Sequence, residues 1–457
     1  MNFYKILPAI ALATTAISCQ DKQENNSEVK YAAASTQQIL GTIEKGSVIV
    51  AANSSLSTVK TAISEQLRFI TGILNRFKGG MNHGGIQIEN VKLESTNSEE
   101  NTQTYTYTAE LVIAWPKGEY TPEVPEVFEV PLPHRADKKG LALFDSLYGK
   151  NPDCVSKLNH KTSPDSYWFY YNPAPYGYWC NAGKNATENI ANIKINMQKK
   201  NSEKVSYPEY QKIWEDGKFI STVLFAELGE GSFGWQDGGL GQFKEAVRRI
   251  ERAYGTPDKV SNEKVYNAIL SNDNSVKIKS LILDYTVEVN GEKKPAQFNF
   301  FFVSGHLNYT MYDRAFTKQF KKLTKISDHV MVNSHSDYGK NIENFYKLGE
   351  FQAGQYQIFH VNACDSLSGT GKQETSSLLL DRHAEANKSL QNPNSYADLI
   401  VNAMPALSHE VASVVTSTIG GLLAGELSYE EIFAQEDHPK SQSSVVLNDE
   451  DNAFQPK

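Results

Sequence analysis

The chain has 457 residues and a formal net charge of −8, with acidic and basic residues mixed along its length. Such a length accommodates two or three domains with a sizeable core. The charge pattern provides no basic groove for nucleic acid and favours no anionic partner.

The first 19 residues have the pattern of an export signal. Lys5 precedes an apolar run from Ile6 to Ala13, and small residues then lead to Cys19. This ending resembles the lipobox of bacterial lipoproteins, in which the cysteine is acylated and becomes the mature N-terminus. The resemblance implies that Cys19 carries a membrane-bound lipid, and the alternative is a plain signal peptide with an incidental cysteine.

Residues 20–31 are polar and charged up to Val29, which predicts a flexible tether. The acidic start of this segment is similar to signals that direct some Gram-negative lipoproteins to the cell surface. No later stretch has the roughly 18 apolar residues that span a bilayer, and segment 411–424 has the length of a buried core helix. We therefore expect a lipid-anchored protein of the cell envelope, held at the outer membrane and facing the periplasm or the surface.

Residues 32–204 are predicted to form an N-terminal α+β domain. Apolar residues recur at helical spacing from Leu56 to Leu74, and alternating segments at 85–94 and 104–115 predict antiparallel strands. The five prolines in residues 116–133 predict an edge strand or an extended loop there.

Residues 205–457 are predicted to form a C-terminal α/β domain with a doubly wound, mostly parallel sheet. Apolar strands alternate with helical stripes, the strands at 219–228, 276–289, 296–305, 329–335 and 356–364 and the helices at 242–254 and 312–323. In such sheets the functional site lies at the carboxyl ends of the strands. Two of these ends carry His335 and Cys364.

Three cysteines remain after Cys19, and in an oxidising compartment a disulfide pairs two of them. Cys154 and Cys180 flank a turn-rich aromatic segment that could bring them together, so they are the predicted disulfide. Cys364 is then the odd thiol, which must be either buried or used.

A cysteine nucleophile needs an imidazole that takes its proton and backbone donors that stabilise an oxyanion. Ser334-His335-Ser336 and Asn362-Ala363-Cys364 each end an apolar strand. They resemble the caspase-like peptidase superfamily, which includes caspases, legumains, gingipains and clostripain. In that superfamily one strand leads to a catalytic His that is followed by a small residue. The next strand leads to a catalytic Cys that is preceded by a small residue. The resemblance covers mainly residues 215–370.

This resemblance implies a cysteine peptidase that acts on peptides or proteins without a metal or cofactor. Cys364 would attack the carbonyl carbon, His335 would protonate the leaving amine, and the backbone N–H groups of Ser336 and Cys364 would bind the oxyanion. Ser336 replaces the usual glycine, and Asp365 follows the cysteine, where a carboxylate tends to raise the thiol pKa. Most of the chain is also similar to a family of secreted bacterial lipoproteins, a likeness that names no activity.

The main alternative is a non-catalytic surface lipoprotein that uses an inactive caspase-like fold to bind peptide or glycan. Histidines and cysteines at strand ends are often only packed core residues. An aromatic cluster could stack on sugar rings or form local core, and it comprises Tyr167, Trp168, Tyr170, Tyr171, Tyr176, Tyr178 and Trp179.

Two weaker patterns concern cofactors. The glycines of segment 229–234 match a dinucleotide fingerprint, but the predicted helix begins only at Gln242, so a flexible loop is favoured. Metal ligands could come from Cys154, His160 and Cys180, or from His329, His335 and His360. A disulfide is favoured over the first set, and His360 is expected to face a helix layer, so no metal is expected.

Overall fold

The computed structural model describes residues 36–77, 79–116, 123–144, 167–173, 189–199, 205–229, 237–305, 313–336, 341, 344, 347–364, 366–367, 375–403, 406–436, 444–447 and 454. The described residues from 36 to 199, with 367, form one compact unit, and those from 205 to 366 and from 375 to 454 form another. The chain is mixed α/β, as predicted. Cys19, Cys154, His160 and Cys180 lie outside the described residues, so the lipid anchor and the disulfide stay predictions.

The first unit contains a five-stranded antiparallel sheet. Its strands are β1 (Thr36–Ala51), β2 (Gly80–Asn97), β3 (Thr102–Pro116), β4 (Val127–Pro133) and β5 (Ile190–Lys199), in the order β2-β3-β1-β5-β4. Its helices are α1 (Leu56–Asn75), α2 (Lys138–Phe144) and α3 (Tyr167–Tyr170). Strand β4 lies at the edge of the sheet. Its prolines, which have no N–H, therefore do not remove a hydrogen bond from the interior of the sheet.

Helix α1 forms over the predicted apolar stripe and buries it in the core of this unit. Ser55 caps its N-terminus, since its hydroxyl accepts a hydrogen bond from the N–H of Thr58. The helix ends at Asn75, one residue beyond the predicted stripe.

The second unit contains an eight-stranded sheet. Its strands are β6 (Phe219–Ala226), β7 (Lys259–Val260), β8 (Ser280–Val289), β9 (Glu292–Val303), β10 (His329–Asn333), β11 (Gln357–Asn362), β12 (Ala397–Asn402) and β13 (Ser444–Leu447). The order is β13-β12-β11-β10-β6-β9-β8-β7, in which β12, β11, β10, β6 and β9 run parallel. Strands β13, β8 and β7 are antiparallel to their neighbours.

Seven helices of this unit lie in the described residues. They are α4 (Tyr210–Ile213), α5 (Gly238–Tyr254), α6 (Glu263–Leu270), α7 (Arg314–Thr324), α8 (Thr375–Ala386), α9 (Val411–Ala424) and α10 (Tyr429–Glu436). Strand side chains alternate between two layers. One layer packs with α5 and α9 in a single core cluster, whereas Phe301 contacts Phe316 of α7 and Phe359 contacts His383 of α8 on the opposite face. Helices therefore cover both faces, as expected for a doubly wound sheet.

One detail differs from the sequence-based expectation. Helix α5 begins at Gly238, four residues before Gln242, because the carboxylate of Asp237 caps the N–H groups of Gly239 and Leu240. Segment 411–424 is the buried core helix that its length indicated. Within the described residues no helix has both the length and the apolar character needed to cross a bilayer.

Candidate functional site at the carboxyl end of the parallel strands

His335 and Cys364 follow the carboxyl ends of two neighbouring parallel strands. In the pairing of β10 with β11, Asn333 lies opposite Asn362. His335 and Cys364 each lie two residues beyond that pair. Since neighbouring strands are roughly 4.8 Å apart, the chain delivers an imidazole and a thiol to one stretch of the same sheet edge.

A ladder of buried asparagines fixes the strand ends beneath this edge. The Nδ2 group of Asn402 donates to Oδ1 of Asn362 at 2.8 Å, and Nδ2 of Asn362 donates to Oδ1 of Asn333 at 2.8 Å. Nδ2 of Asn333 then donates to the Leu224 carbonyl at 3.1 Å. This asparagine ladder joins β12, β11, β10 and β6. Side-chain hydrogen bonds therefore fix the positions of the four strand ends relative to one another.

Cys364 is a half-buried cysteine in a turn held against the sheet. The hydroxyl of Ser366 donates to the carbonyl of Val361 at 2.8 Å and accepts from the N–H of Asn402 at 2.7 Å. Sγ of Cys364 lies 3.6 Å from the carbonyl oxygen of Ala406, which follows β12. The thiol therefore sits on the β12 side of its strand.

The imidazole of His335 is exposed and sits on the β6 side of its own strand. Nε2 lies 3.4 Å from the carbonyl oxygen of Leu228, a long hydrogen bond in which Nε2 must carry the proton because a carbonyl only accepts. Nδ1 is then the basic nitrogen. The buried amide of Asn341 holds the backbone beneath the ring, since its Nδ2 donates to the carbonyls of His335 at 2.8 Å and Gly305 at 3.0 Å.

The contacts described above for the two groups therefore lie on the outer sides of the β10–β11 pair, the thiol toward β12 and the imidazole toward β6. The backbone N–H of Ser336 makes no hydrogen bond to any described residue. These are the residues that the sequence pattern singled out, and their catalytic roles stay predictions.

The other candidate histidines lie in the packed interior. His329 and His360 share one sheet face, with ring centroids 6.4 Å apart. Nδ1 of His329 pairs with the Ser221 hydroxyl at 2.9 Å, and Nδ1 of His360 lies 3.4 Å from the Thr418 hydroxyl of α9. Burial lowers the pKa of His329 to about 3 and holds the pKa of His360 well below its usual value. His335 lies beyond the other end of β10, so the three rings do not converge on one metal.

The N-terminus of α5 has its own carboxylate ligand. Oδ1 of Asp237 accepts from the first turn of the helix, and Oδ2 accepts from the N–H groups of Leu228 at 3.0 Å and Gly229 at 2.7 Å. This carboxylate occupies the position that a pyrophosphate would need in a dinucleotide site. Residues 230–236 lie outside the described part of the chain.

Two members of the aromatic cluster are core residues of the first unit. Trp168 is buried beneath the Arg68 guanidinium, which lies 4.5 Å from its ring centroid. Tyr171 is fully buried, and its hydroxyl donates to the Pro131 carbonyl at 2.7 Å. These two rings are therefore not available to stack on a glycan, and the remaining side chains of the cluster fall outside the described residues.

A comparison with models of protein families finds no match for this chain, and a search of curated proteins finds no relative.

Proposed function

We propose that the protein is a cysteine peptidase with a caspase-like fold, in which Cys364 is the nucleophile and His335 is the general acid and base. The observation that supports this proposal is the strand register: two neighbouring parallel strands end in an in-register asparagine pair, and each carries one reactive residue two positions later. Parallel α/β sheets place their sites at this end.

The proposed reaction has two steps. Nδ1 of His335 takes the thiol proton, and the Cys364 sulfur attacks the peptide carbonyl carbon, so that the oxygen becomes an oxyanion facing the N–H groups of Ser336 and Cys364. When the intermediate collapses, the C–N bond breaks and His335 protonates the leaving amine. Water, deprotonated by His335, then hydrolyses the thioester and regenerates the thiol.

The proposal includes the cell location predicted by the sequence. A lipid on Cys19 would hold the protein at the outer membrane through the tether at residues 20–31, and Cys154 and Cys180 would form a disulfide. Cys364 would then be the reduced cysteine that acts as the nucleophile.

The test is the labelling rate with a thiol-reactive peptide probe, measured for the wild type, Cys364→Ala and His335→Ala. We expect no labelling of the first variant and a fall of about 100-fold or more in the second, because the thiolate and the acid-base group are both lost. His409→Ala is the matched control: His409 is exposed in the same unit, with its ring 3.7 Å from Glu410, and its loss should leave the rate unchanged.

Equal labelling of the wild type and His335→Ala would contradict the peptidase proposal, since an incidental thiol needs no imidazole. That result would favour the non-catalytic alternative, in which the same fold only binds a peptide or glycan.

A further inference from the structure

Ser47 and His134 form a hydrogen-bonded serine–histidine pair in the first unit. Oγ of Ser47, on β1, lies 2.7 Å from Nε2 of His134, the residue that directly follows β4. Both residues are half-buried, so the pair is accessible from solvent. A hydroxyl within hydrogen-bond reach of an imidazole is the arrangement that makes a serine nucleophilic, because the imidazole can take the hydroxyl proton.

The other histidine–hydroxyl pairs among the described residues are sealed in the interior. Their six residues have at most 4% of their surface exposed, and the pairs are His83 with Thr71, His329 with Ser221, and His360 with Thr418. Those pairs satisfy polar groups in the packed core. Of the described pairs, only Ser47 with His134 can therefore meet a substrate.

The buried side chain of Gln66, on α1, fixes the backbone beside both residues. Its Nε2 group donates to the Ser47 carbonyl at 2.9 Å and to the Pro133 carbonyl at 2.7 Å. The N–H of Ile49 donates to the His134 carbonyl at 2.7 Å, which joins the two segments a second time. The serine and the histidine are therefore held together by buried and backbone hydrogen bonds, and not only by the contact between their side chains.

A β-bulge directly precedes Ser47. The register between β1 and β3 shifts between Ile43 and Gly46. Gly46 has no room for a side chain, because a Cβ there would lie 2.3 Å from the ring of Tyr107. The Tyr107 hydroxyl in turn donates to Oε1 of Gln66 at 2.6 Å. Bulges of this kind re-aim a side chain and are over-represented next to active sites.

The imidazole of His134 is suited to act as a base at neutral pH. Burial lowers its pKa, and the charge of Glu94 acts in the opposite direction by raising it. The Glu94 carboxylate also lies 3.8 Å from Nζ of Lys45, in an exposed ion pair. Since the ring is mostly neutral at pH 7, Nε2 can accept the hydroxyl proton when Nδ1 carries the ring proton. The Glu94 charge then favours the imidazolium that forms.

We propose that Ser47 and His134 are the nucleophile and the general base of a second catalytic site, which hydrolyses small acyl esters such as acetyl esters. Esters suit a pair whose nearest carboxylate acts only at a distance, because an alcohol leaves more readily than an amine. A small acyl group suits a hydroxyl that is half-buried. The site shares no residue with the Cys364 site, so it stands independently of the peptidase proposal.

The proposed reaction passes through an acyl-serine. Nε2 of His134 takes the hydroxyl proton while Oγ of Ser47 bonds to the ester carbonyl carbon. The C–O bond to the alcohol then breaks, and the alcohol oxygen takes the proton from His134. Water, deprotonated by His134, hydrolyses the acyl-serine, which releases the carboxylic acid and restores the hydroxyl of Ser47.

The test uses a Cys364→Ala background, in which the other proposed nucleophile is absent. The protein is treated with a fluorophosphonate probe, which reacts with activated serines by forming a P–O bond and releasing fluoride, and the labelled residue is mapped by peptide mass spectrometry. Release of p-nitrophenolate from p-nitrophenyl acetate measures ester hydrolysis. We expect the label on Ser47, and ester hydrolysis at least about 100-fold slower in Ser47→Ala and His134→Gln.

Ser54→Ala is the matched control. Ser54 is also half-buried and lies just beyond β1, but its hydroxyl donates to the Ala51 carbonyl and not to a histidine. This variant should keep the labelling of Ser47 and the rate of ester hydrolysis.

Absence of the label from Ser47, or equal labelling of Ser47 with and without His134→Gln, would overturn the proposal. The mapping is made on protein in which Ser47 and His134 are both intact, so a folding defect of a variant does not hide a negative result. Label on Ser47 without ester hydrolysis would also overturn it, since the hydroxyl would then be reactive but not catalytic.

Discussion

At the amino end of the five parallel strands, the buried carboxyl groups accept hydrogen bonds from partners within the fold. Asp328 accepts from the Ile220 N–H at 2.7 Å and from Gln355 at 3.1 Å, and burial raises the pKa of its carboxyl group well above the ordinary value. Asp398 receives the hydroxyls of Tyr356 and Tyr429, each at 2.5 Å.

At the carboxyl end of the same sheet, some polar groups have no hydrogen-bond partner among the described residues. His335 makes one long hydrogen bond to the Leu228 carbonyl, the N–H of Ser336 has no acceptor among the described residues, and Oε1 of Glu227 has no donor. Both ends belong to the same strands, so strand composition alone does not explain the contrast. The carboxyl groups at the amino end stabilise the fold, and the proposed function assigns the groups at the carboxyl end to a ligand.

The largest effect that separates the two ends should come from Asp398→Ala. Burial, followed by the Asp398 charge, raises the pKa of Tyr356, so this tyrosine stays protonated and donates to the carboxylate. Removing the carboxylate leaves the buried hydroxyls of Tyr356 and Tyr429 without their acceptor. At about 1–3 kcal/mol for each hydroxyl, the free energy of unfolding should fall by about 4 kcal/mol. Urea denaturation measures the loss.

The probe-labelling rate of folded Asp398→Ala should equal that of the wild type, because the change lies at the opposite end of the strands. A large drop in labelling at unchanged stability would reverse the assignment of the two ends.

Asn362→Leu should lower both stability and labelling, because it breaks the asparagine ladder at its centre. Asn333 loses a donor and Asn402 loses an acceptor, which should cost about 3 kcal/mol in urea denaturation. Labelling of Cys364 should also slow, because the ends of β10 and β11 are then no longer held together by a side-chain hydrogen bond.

Asn387→Leu is the matched control for this variant. Asn387 is a buried asparagine near the amino end of β11, where it accepts from the Gly354 N–H at 2.8 Å and donates to the His383 carbonyl at 2.9 Å. It should lose comparable stability and keep its labelling rate. If both variants are labelled equally slowly, the asparagine ladder has no special role in positioning Cys364 and His335.

Much of this arrangement could be predicted from the sequence, because the signal is local. The apolar runs of β6, β10 and β11 indicate buried parallel strands, and a residue directly after such a run must lie at the carboxyl end. Strand β12 was missed, since its apolar run is only Leu399, Ile400 and Val401 within a polar context.

The asparagine ladder and the unpaired Glu227 could not be predicted, because they depend on which strands are neighbours and on what packs around them. Three strands ending in asparagine were visible as a pattern: HVMVN, QIFHVN and ADLIVN. Only the strand order β12-β11-β10-β6 turns that pattern into one chain of hydrogen bonds. The early start of α5 had a local signal, Asp237 before two glycines, that the apolar periodicity did not capture.

A smaller loss of stability should occur at acid pH, and it should come from a histidine inside the sheet and not from the edge that carries His335 and Cys364. His329 is buried and neutral, with a pKa of about 3 against an ordinary value near 6.5 in the unfolded chain. Because the unfolded state binds the proton first, stability should fall as the pH drops below about 6.5, by roughly 2 kcal/mol for this residue at pH 5. Urea denaturation at pH 7.5 and pH 5 should show that His329→Gln removes about this much of the difference, whereas the exposed His409→Gln removes none. An unchanged pH dependence in His329→Gln would mean that this ring is already protonated or hydrated in the fold, and the sheet interior would then be as open to ligands as its carboxyl end.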